Sequence, residues 1–510
     1  MIKLNEKSWL IVLAAVCLVY ISLRFWHLTD SCLWFDEIFS VHAAEHDWSS
    51  LFSFVAQDLI HPPLFYVFLK LWISIGGESL FWLRFSSVLF SIIALIPFYL
   101  LCRQLKLKYP AVALALIIFA VNGYLVKYAQ EVRMYSLLLC LSLFSIWLFA
   151  RFLNVGKGIW FLTIVNILLV YTQYFGWFVV VAEVCAGLFL QRIKIRRILT
   201  MFGLTVLSFI AWIIAVASAA QSNADVSQNL GWASRPNLLT LIQFAFNLNE
   251  PFYYQASNID AMSIWILTIP FLLLIIAAVI FYFVNWNKQS DIEKNAFYFL
   301  LILITTPILL AFLASWVLPF SIWGTRHFII VFAPYAILLA VAFNKIQIKP
   351  LKIILLAAVA ALFGMAFYLQ IQRGTQPFIW CAWENFASQL PHQNSAEPTK
   401  IFVFEDDAAY LFWFALRNED KNFQIVKVNG ISELKEDKAY FLPRGFDLVQ
   451  TTDTNGLNGD KFFVAFRAKE FNYLEQPLRT LIDKGYRIGE PMVFEAQGLK
   501  VFLVEAEKKK

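Results

Sequence analysis

The sequence is poor in charge. Asp, Glu, Lys and Arg make up 15% of its 510 residues, against about 25% in a soluble globular chain. Hydrophobic residues reach 60%, above the usual range of about 45–50%. That balance marks a polytopic membrane protein, and a net charge of only +6 gives no sign of a nucleic-acid partner. Cysteine is sparse as well. The six residues (17, 32, 102, 140, 185, 381) lie mostly in apolar runs with no C-x-x-C spacing, so neither a disulfide framework nor a zinc site is expected. Only Cys32 and Cys381 fall where they could meet outside a membrane. No N-x-S/T sequon occurs, which argues against an ER protein with a large lumenal tail. The polar C-terminal tail holds no G-x-G-x-x-G, P-loop or nucleophile elbow, and the chain shows no low-complexity segment or internal repeat.

What is present is a series of apolar runs near the length a bilayer requires, about 17–25 residues. Eleven are read, near 9–27, 81–101, 110–126, 135–152, 159–173, 175–190, 199–218, 262–285, 297–317, 327–344 and 352–370. The stretch 159–190 is long for one span and short for two. The first run is long and lacks a small-x-small cleavage site, and is read as a retained signal anchor. A further run, PPLFYVFLKLWISI from Pro62 to Ile75, would rise only ~21 Å as a helix. The hydrocarbon core is ~30 Å thick, so this run is read as an interfacial helix.

That reading sorts the basic residues. Sixteen Lys and Arg (3, 7, 103, 106, 108, 151, 157, 192, 194, 196, 197, 288, 294, 345, 349, 352) fall on one side and seven (24, 70, 84, 127, 133, 235, 326) on the other. The positive-inside rule then places the N-terminus in the cytoplasm and the C-terminus outside, in a bacterial cytoplasmic (inner) membrane. A transmembrane domain is expected over 1–370, with an external loop 28–80 carrying interfacial helices. Residues 371–510 alternate strand-like runs (IFVF, QIVKV, KAYFL, KFFVAF, LKVFLVEA) with helical ones (WENFASQL, AAYLFWFALR, EQPLRTLIDKGY). Such alternation suggests a small extracytoplasmic α/β domain.

This topology gathers polar residues on the external face. In LWFDEIFSVHAA, Asp36 and Glu37 stand among aromatic neighbours close to lipid. One carboxylate would suffice for a helix N-cap, and two suggest a general base or a cation ligand, because charge near hydrocarbon usually serves function. His61 precedes Pro62-Pro63, which alone would start a helix. The short hairpin KYAQEVRMYS packs Lys127, Glu131 and Arg133 into seven residues. Arg133 suits a phosphate, since its planar fork reaches two oxygens. Arg326 and His327 begin the tenth span and form a second candidate clamp, although an interfacial arginine can simply snorkel to headgroups. Glu183, a lone carboxylate in the sixth span, has no assigned role.

Together these pieces resemble the polytopic C-type glycosyltransferases that use lipid-phosphate sugars, in the protein O-mannosyltransferase and aminoarabinose-transferase group. Four elements carry the resemblance over residues 1–345: LWFDEIFSVHAA, HPPLFYVFLKLW with FWLRFSSVLF, YAQEVRMYSLLL, and GTRHFIIVFAPYAILLA. At YTQYFG, Gln173 stands where relatives often have histidine. The resemblance implies an α-helical polytopic membrane protein of the C-type glycosyltransferase fold, with about 11 spans and the appended domain. It implies Asp36 as catalytic base and Glu37 as its helper or a cation ligand. Arg133, Arg326 and His327 would hold the donor phosphate, and His61, Tyr128, Gln130, Glu131 and Tyr135 would line the cavity. The implied partners are a polyprenyl-phosphate sugar, a lipid, glycan or protein acceptor, and membrane lipids. A divalent metal on Asp36, Glu37 and His61 is a possible addition, though no spacing is diagnostic. The competing reading is a transporter or lipid flippase with an external carboxylate site. Against it, transporters tend to carry repeat halves and midplane polar sites.

Overall fold

The computed structural model describes residues 5–190, 195–221, 233–251, 272, 275–276, 279–280, 282–373, 377–392, 397–431, 442–444, 446–496 and 498–509. Helix α1 (Glu6–Phe25) opens where the Asn5 side chain accepts the Ser8 N–H at 2.8 Å, a polar N-cap that satisfies an otherwise orphan donor. The segment after α1 then forms α2 (Phe35–Glu45), α3 (Trp48–Asp58) and α4 (Leu64–Gly76). The bundle continues with α5 (Leu80–Ile93), α6 (Leu95–Gln104), α7 (Tyr109–Val121), α8 (Gly123–Ala129), α9 (Tyr135–Val155), α10 (Ile159–Thr172), α11 (Gly176–Leu190) and α12 (Ile195–Ala220). After it come α13 (Leu238–Asn247), α14 (Asp291–Val317), α15 (Ile329–Asn344) and α16 (Lys349–Arg373).

Among the described residues, seven helical segments are long and apolar enough to cross a membrane: α1, α5–α6, α9, α12, α14, α15 with the turn before it, and α16. The chain is a multi-pass membrane protein. The expected segments at 110–126, 159–173 and 175–190 correspond to shorter apolar helices. The one at 262–285 lies mostly outside the described residues, as do Lys3, Arg192, Lys194 and most of the KAYFL strand.

Two breaks have local causes. The apolar run at 110–126 divides at Asn122, whose side chain accepts the Leu125 N–H to start α8 and donates to the Leu248 carbonyl. The run at 159–190 divides at Gln173–Phe175, where the Gln173 side chain accepts the Phe175 N–H. Gly176 fits there because a Cβ would stand 2.7 Å from the Leu169 carbonyl oxygen. Gln173 thus closes a turn in this chain. Glu183 also finds partners: it accepts from Ser145 Oγ at 2.5 Å and Asn166 Nδ2 at 2.9 Å. The three side chains cross-link α9, α10 and α11, and satisfy a carboxyl group that would otherwise be costly at this depth.

The C-terminal region forms a seven-stranded sheet in the order β3-β2-β1-β4-β7-β5, with β6 also on β7. Its strands are β1 (Thr399–Val403), β2 (Phe423–Val428), β3 (Gln450–Thr452), β4 (Lys461–Ala468), β5 (Tyr486–Ile488), β6 (Met492–Ala496) and β7 (Leu499–Lys508). Strands β3, β2, β1 and β4 run parallel, and β7 is antiparallel to β4. Period-2 alternation splits the side chains between two cores. Ile401, Val403, Phe463, Ala465 and Leu503 join helices α17 (Ala382–Gln389) and α18 (Asp406–Leu416) in a core continuous with the bundle. Phe402, Val464, Phe502 and Val504 face the other way, onto α19 (Leu478–Asp483). The short strands β3, β5 and β6 have no counterpart in the sequence reading.

Several ties hold this region on the segment between α1 and α5. Cys32 and Cys381 form a disulfide across 349 residues, with Cα atoms 5.4 Å apart. Tyr410 Oη pairs with His42 Nδ1 at 2.9 Å. Arg417 binds Glu45 and Glu78 at 2.8 and 2.9 Å, and Arg444 donates to the Gln57 carbonyl at 2.9 Å.

Candidate active site

The acidic pair at the head of α2 is split by its surroundings. Glu37 is fully buried and points into the protein, where Arg84 Nε and a terminal nitrogen donate to its two oxygens at 3.1 and 3.0 Å. The backbone N–H groups of Val132 and Trp34 donate to the same carboxylate at 2.9 and 3.2 Å. Arg84, equally buried, donates onward to the carbonyls of Leu28, Ser31 and Cys32. A buried pair survives only when its remaining lone pairs and protons are satisfied in this way. The pair therefore ties the loop after α1, the head of α2, α5 and the 130–134 turn into one unit.

Asp36, next along α2, faces the opposite way. Its Oδ2 accepts from Arg326 at 2.9 Å and lies 4.0 Å from Arg133. Arg133 is 2% exposed and donates to the Asp36 carbonyl and Ser40 Oγ, both at 3.0 Å. Its second terminal nitrogen donates to His61 Nε2 at 3.0 Å. Since an arginine only donates, Nε2 is the acceptor and His61 is neutral with its proton on Nδ1. That Nδ1–H points at Asp58 Oδ2, 2.6 Å away. Leu59, between Asp58 and His61, sits at φ +67°. A left-handed non-glycine residue of this kind is worth about 1–3 kcal/mol of strain and gathers at functional sites.

Burial pushes the Asp36 carboxyl up, but Arg133 and Arg326 outweigh it and hold the group below the usual carboxylate range. His61 is driven down, chiefly by burial and then by Arg133, against the pull of Asp58. Glu131 behaves differently. It is fully buried, and burial raises it to about 7, with Lys127 opposing and Glu37 and Asp36 reinforcing the shift.

Several buried polar atoms around Asp36 have no hydrogen-bond partner: both Glu131 oxygens, Arg133 Nε, Tyr66 Oη, Tyr135 Oη and His327 Nδ1. Native interiors leave few such atoms, and each calls for an explanation. Here they share one neighbourhood, since Tyr66, Glu131 and Tyr135 all feel the charges of Asp36 and of one or both arginines. The Tyr128 and Tyr135 rings lie 4.9 Å apart, and His327 packs 4.7 Å from Phe175. Gly324 leaves room for that imidazole, because a Cβ would come within 2.9 Å of its Nδ1.

Asp36, His61, Arg133 and Arg326 are thus brought together from four segments, with Glu131, Tyr135 and His327 beside them. Gln130 is not among them: its amide donates to the Arg24 and Trp26 carbonyls at the end of α1. The sequence reading assigned no role to Asp58, Ser40, Tyr66 or Arg84. Asp58 stands three residues before His61, a local signal that could have flagged it, and Arg84 sits in the FWLRFS run already singled out.

The three proposed metal ligands do not converge. Asp36 faces two arginines, Glu37 faces Arg84, and His61 is turned between Asp58 and Arg133. Among the described residues no group of three or more His, Cys, Asp or Glu side chains is arranged to hold a metal ion. The pocket instead sets Arg133 and Arg326 beside the Asp36 carboxylate, with Asp58 on His61.

The comparisons with known proteins agree with the fold. No family model matches the chain, and no curated protein matches it in sequence. Among solved structures, ArnT from Cupriavidus metallidurans bound to undecaprenyl phosphate is similar over 98% of each chain, with 11% identity and a TM-score of 0.59. The Archaeoglobus fulgidus oligosaccharyltransferase, in complex with Zn and sulfate, is similar over 79% of this chain and 61% of its own, at 14% identity and a TM-score of 0.46. The chain therefore has the C-type glycosyltransferase fold: a helical membrane bundle with an appended sheet region.

Proposed function

We propose that the protein is a membrane glycosyltransferase that moves a sugar from a polyprenyl-phosphate donor to an acceptor hydroxyl on the external face. The observation that carries this reading is the Asp36–Arg133–Arg326 cluster, a carboxylate facing two arginines amid unpartnered buried polar atoms. It stands in a fold shared with a protein crystallised with undecaprenyl phosphate. A polyprenyl-phosphate sugar brings an anion and hydroxyl groups to such a pocket, and needs no nucleotide-binding domain.

In the proposed step the acceptor O–H gives its proton to the Asp36 carboxylate while its oxygen attacks the anomeric carbon. The anomeric C–O bond to phosphate breaks, and its electron pair goes to the phosphate oxygen. Arg133, through its unengaged Nε, and Arg326 stabilise that growing charge in a partly dry site. A single displacement with one base inverts the anomeric centre. The ion pair also suggests how the base is held back. Arg326 keeps Asp36 weakly basic until a donor phosphate competes for the guanidinium, which raises the carboxylate's basicity when substrate is bound. Glu37 acts as a positioning residue, and Asp58 fixes the His61 tautomer that supports Arg133. The orientation carries the site, and the sheet region with it, to the outer face of a bacterial inner membrane.

The test is direct. Membranes containing the protein are given a radiolabelled polyprenyl-phosphate sugar, and the label is followed from lipid to hydroxyl-bearing acceptors of the cell envelope. Transfer that leaves polyprenyl phosphate behind is expected. Movement of the intact labelled lipid across sealed vesicles, with no cleavage, would instead support a flippase.

A further inference from the structure

A second polar cavity lies at the far end of the bundle from Asp36. Its volume is about 470 Å³, and its rim carries Arg103, Gln104, Lys106, Asn154 and Asn295. Leu153 and Phe299 form part of its apolar floor. Helix α9 fixes the separation. It begins at Tyr135, beside the candidate active site, and its last turn presents Asn154 to the cavity. Its 21 residues rise about 31 Å, one hydrocarbon thickness. The cavity therefore stands at headgroup level in the opposite leaflet.

The backbone favours charge here at some conformational expense. Helix α6 ends in a turn in which Lys106 takes φ +59°, with Leu107 N–H bonded to the Cys102 carbonyl. Glycine suits that left-handed closing position best. Lysine there sets a second cation three residues from Arg103, on the same rim. Arg103 also stacks over the Tyr109 ring at 5.0 Å. Two acidic side chains stand at the head of α14, Asp291 and Glu293, and Glu293 is engaged by Lys345 and Ser290. Among the described residues the rim thus presents the exposed cations Arg103 and Lys106, with amide side chains between them, above an apolar floor. That combination matches an anionic phosphodiester with acyl chains beside it, and basic pockets between helices on this kind of face take such headgroups.

We propose that this cavity is a binding site for the headgroup of an anionic phospholipid, in the leaflet opposite the one that presents the donor. The site is separate from the Asp36 cluster and does not depend on the reaction assigned to it.

The experiment uses the full-length protein in nanodiscs holding equal amounts of phosphatidylglycerol and phosphatidylcholine, with release and native mass spectrometry of retained lipid. The wild type is expected to keep phosphatidylglycerol preferentially. Arg103→Gln/Lys106→Gln is expected to weaken that retention on the order of 30-fold, about fivefold per basic side chain. Asn154→Trp, a surface change that crowds the cavity while leaving both cations, is expected to weaken it too. Inorganic phosphate at millimolar concentration should not displace the lipid. Equal retention of both lipids by the wild type overturns the proposal whether or not the variants fold. Unchanged retention in a folded double variant does so as well, and full displacement by phosphate would make this a free-anion site instead.

Discussion

Asp36 and Glu37 are neighbours in sequence with opposite surroundings, and their substitutions should separate accordingly. Arg84→Ala leaves the Glu37 carboxylate buried without its counter-ion, a change worth about 3–5 kcal/mol of stability. The variant is expected to lose thermal stability and yield in detergent, and a melting temperature equal to wild type would contradict the role given to the pair. Glu131 offers a pH signature. Its folded pKa of about 7 lies above the ordinary 4.5. The stabilisation from the neutral acid is therefore complete below 4.5 and is lost as pH rises through about 7. The shift corresponds to about 3 kcal/mol. Wild-type melting temperature should fall across that window, and Glu131→Gln should flatten the fall; equal slopes in both proteins would rule the assignment out. The carboxylate–arginine cluster was legible because charges are rare in this chain and each one stood out. The opposite facing of Asp36 and Glu37 was not legible, since it depends on which way α2 rolls and on Arg84 arriving from another helix. The Asp36–Arg326 contact joins residues 290 positions apart, which no local pattern encodes.

Among the elements, long apolar runs were read well because length and hydropathy decide them. Among the short helices, the division of 110–126 was hidden, since a side-chain cap at Asn122 breaks a run that hydropathy leaves continuous, whereas the turn before Gly176 falls between the two runs read at 159–173 and 175–190. The main strands of the sheet were visible in their alternation, whereas β3 and β5 have three residues each, too few to show a period. Cys32 and Cys381 stood out as the two cysteines able to meet outside the membrane, and their bond pins the loop carrying Asp36 to the sheet region. Cys32→Ser/Cys381→Ser is expected to lower stability by about 2–4 kcal/mol, and reductant should bring the wild type down to the same melting temperature. A wild type indifferent to reductant would show that the bond contributes nothing to holding these elements together.

For the molecule as a whole, the distribution of lysine and arginine sets the proposed orientation, and the fold then puts the sheet region and the Asp36 cluster on one side. Protease added to intact spheroplasts should cut within 371–510, whereas cleavage there only after lysis would invert the topology and move the site to the cytoplasm. The sugar and its acceptor were beyond the sequence for a physical reason. In the proposed reaction they would be chosen by side chains that several helices bring together, not by any motif.

The measurement that bears most directly on the central claim compares Asp36→Asn with wild type, using one labelled polyprenyl-phosphate sugar for both transfer and binding. Loss of a positioned base lowers the rate by about 10²–10⁴-fold, so transfer is expected to fall by that factor. Donor binding should be kept or tightened, because Arg326 no longer spends its 2.9 Å contact on a carboxylate. Transfer at the wild-type rate by the folded variant would contradict Asp36 as the base, and donor binding lost together with activity would place the residue in substrate recognition instead.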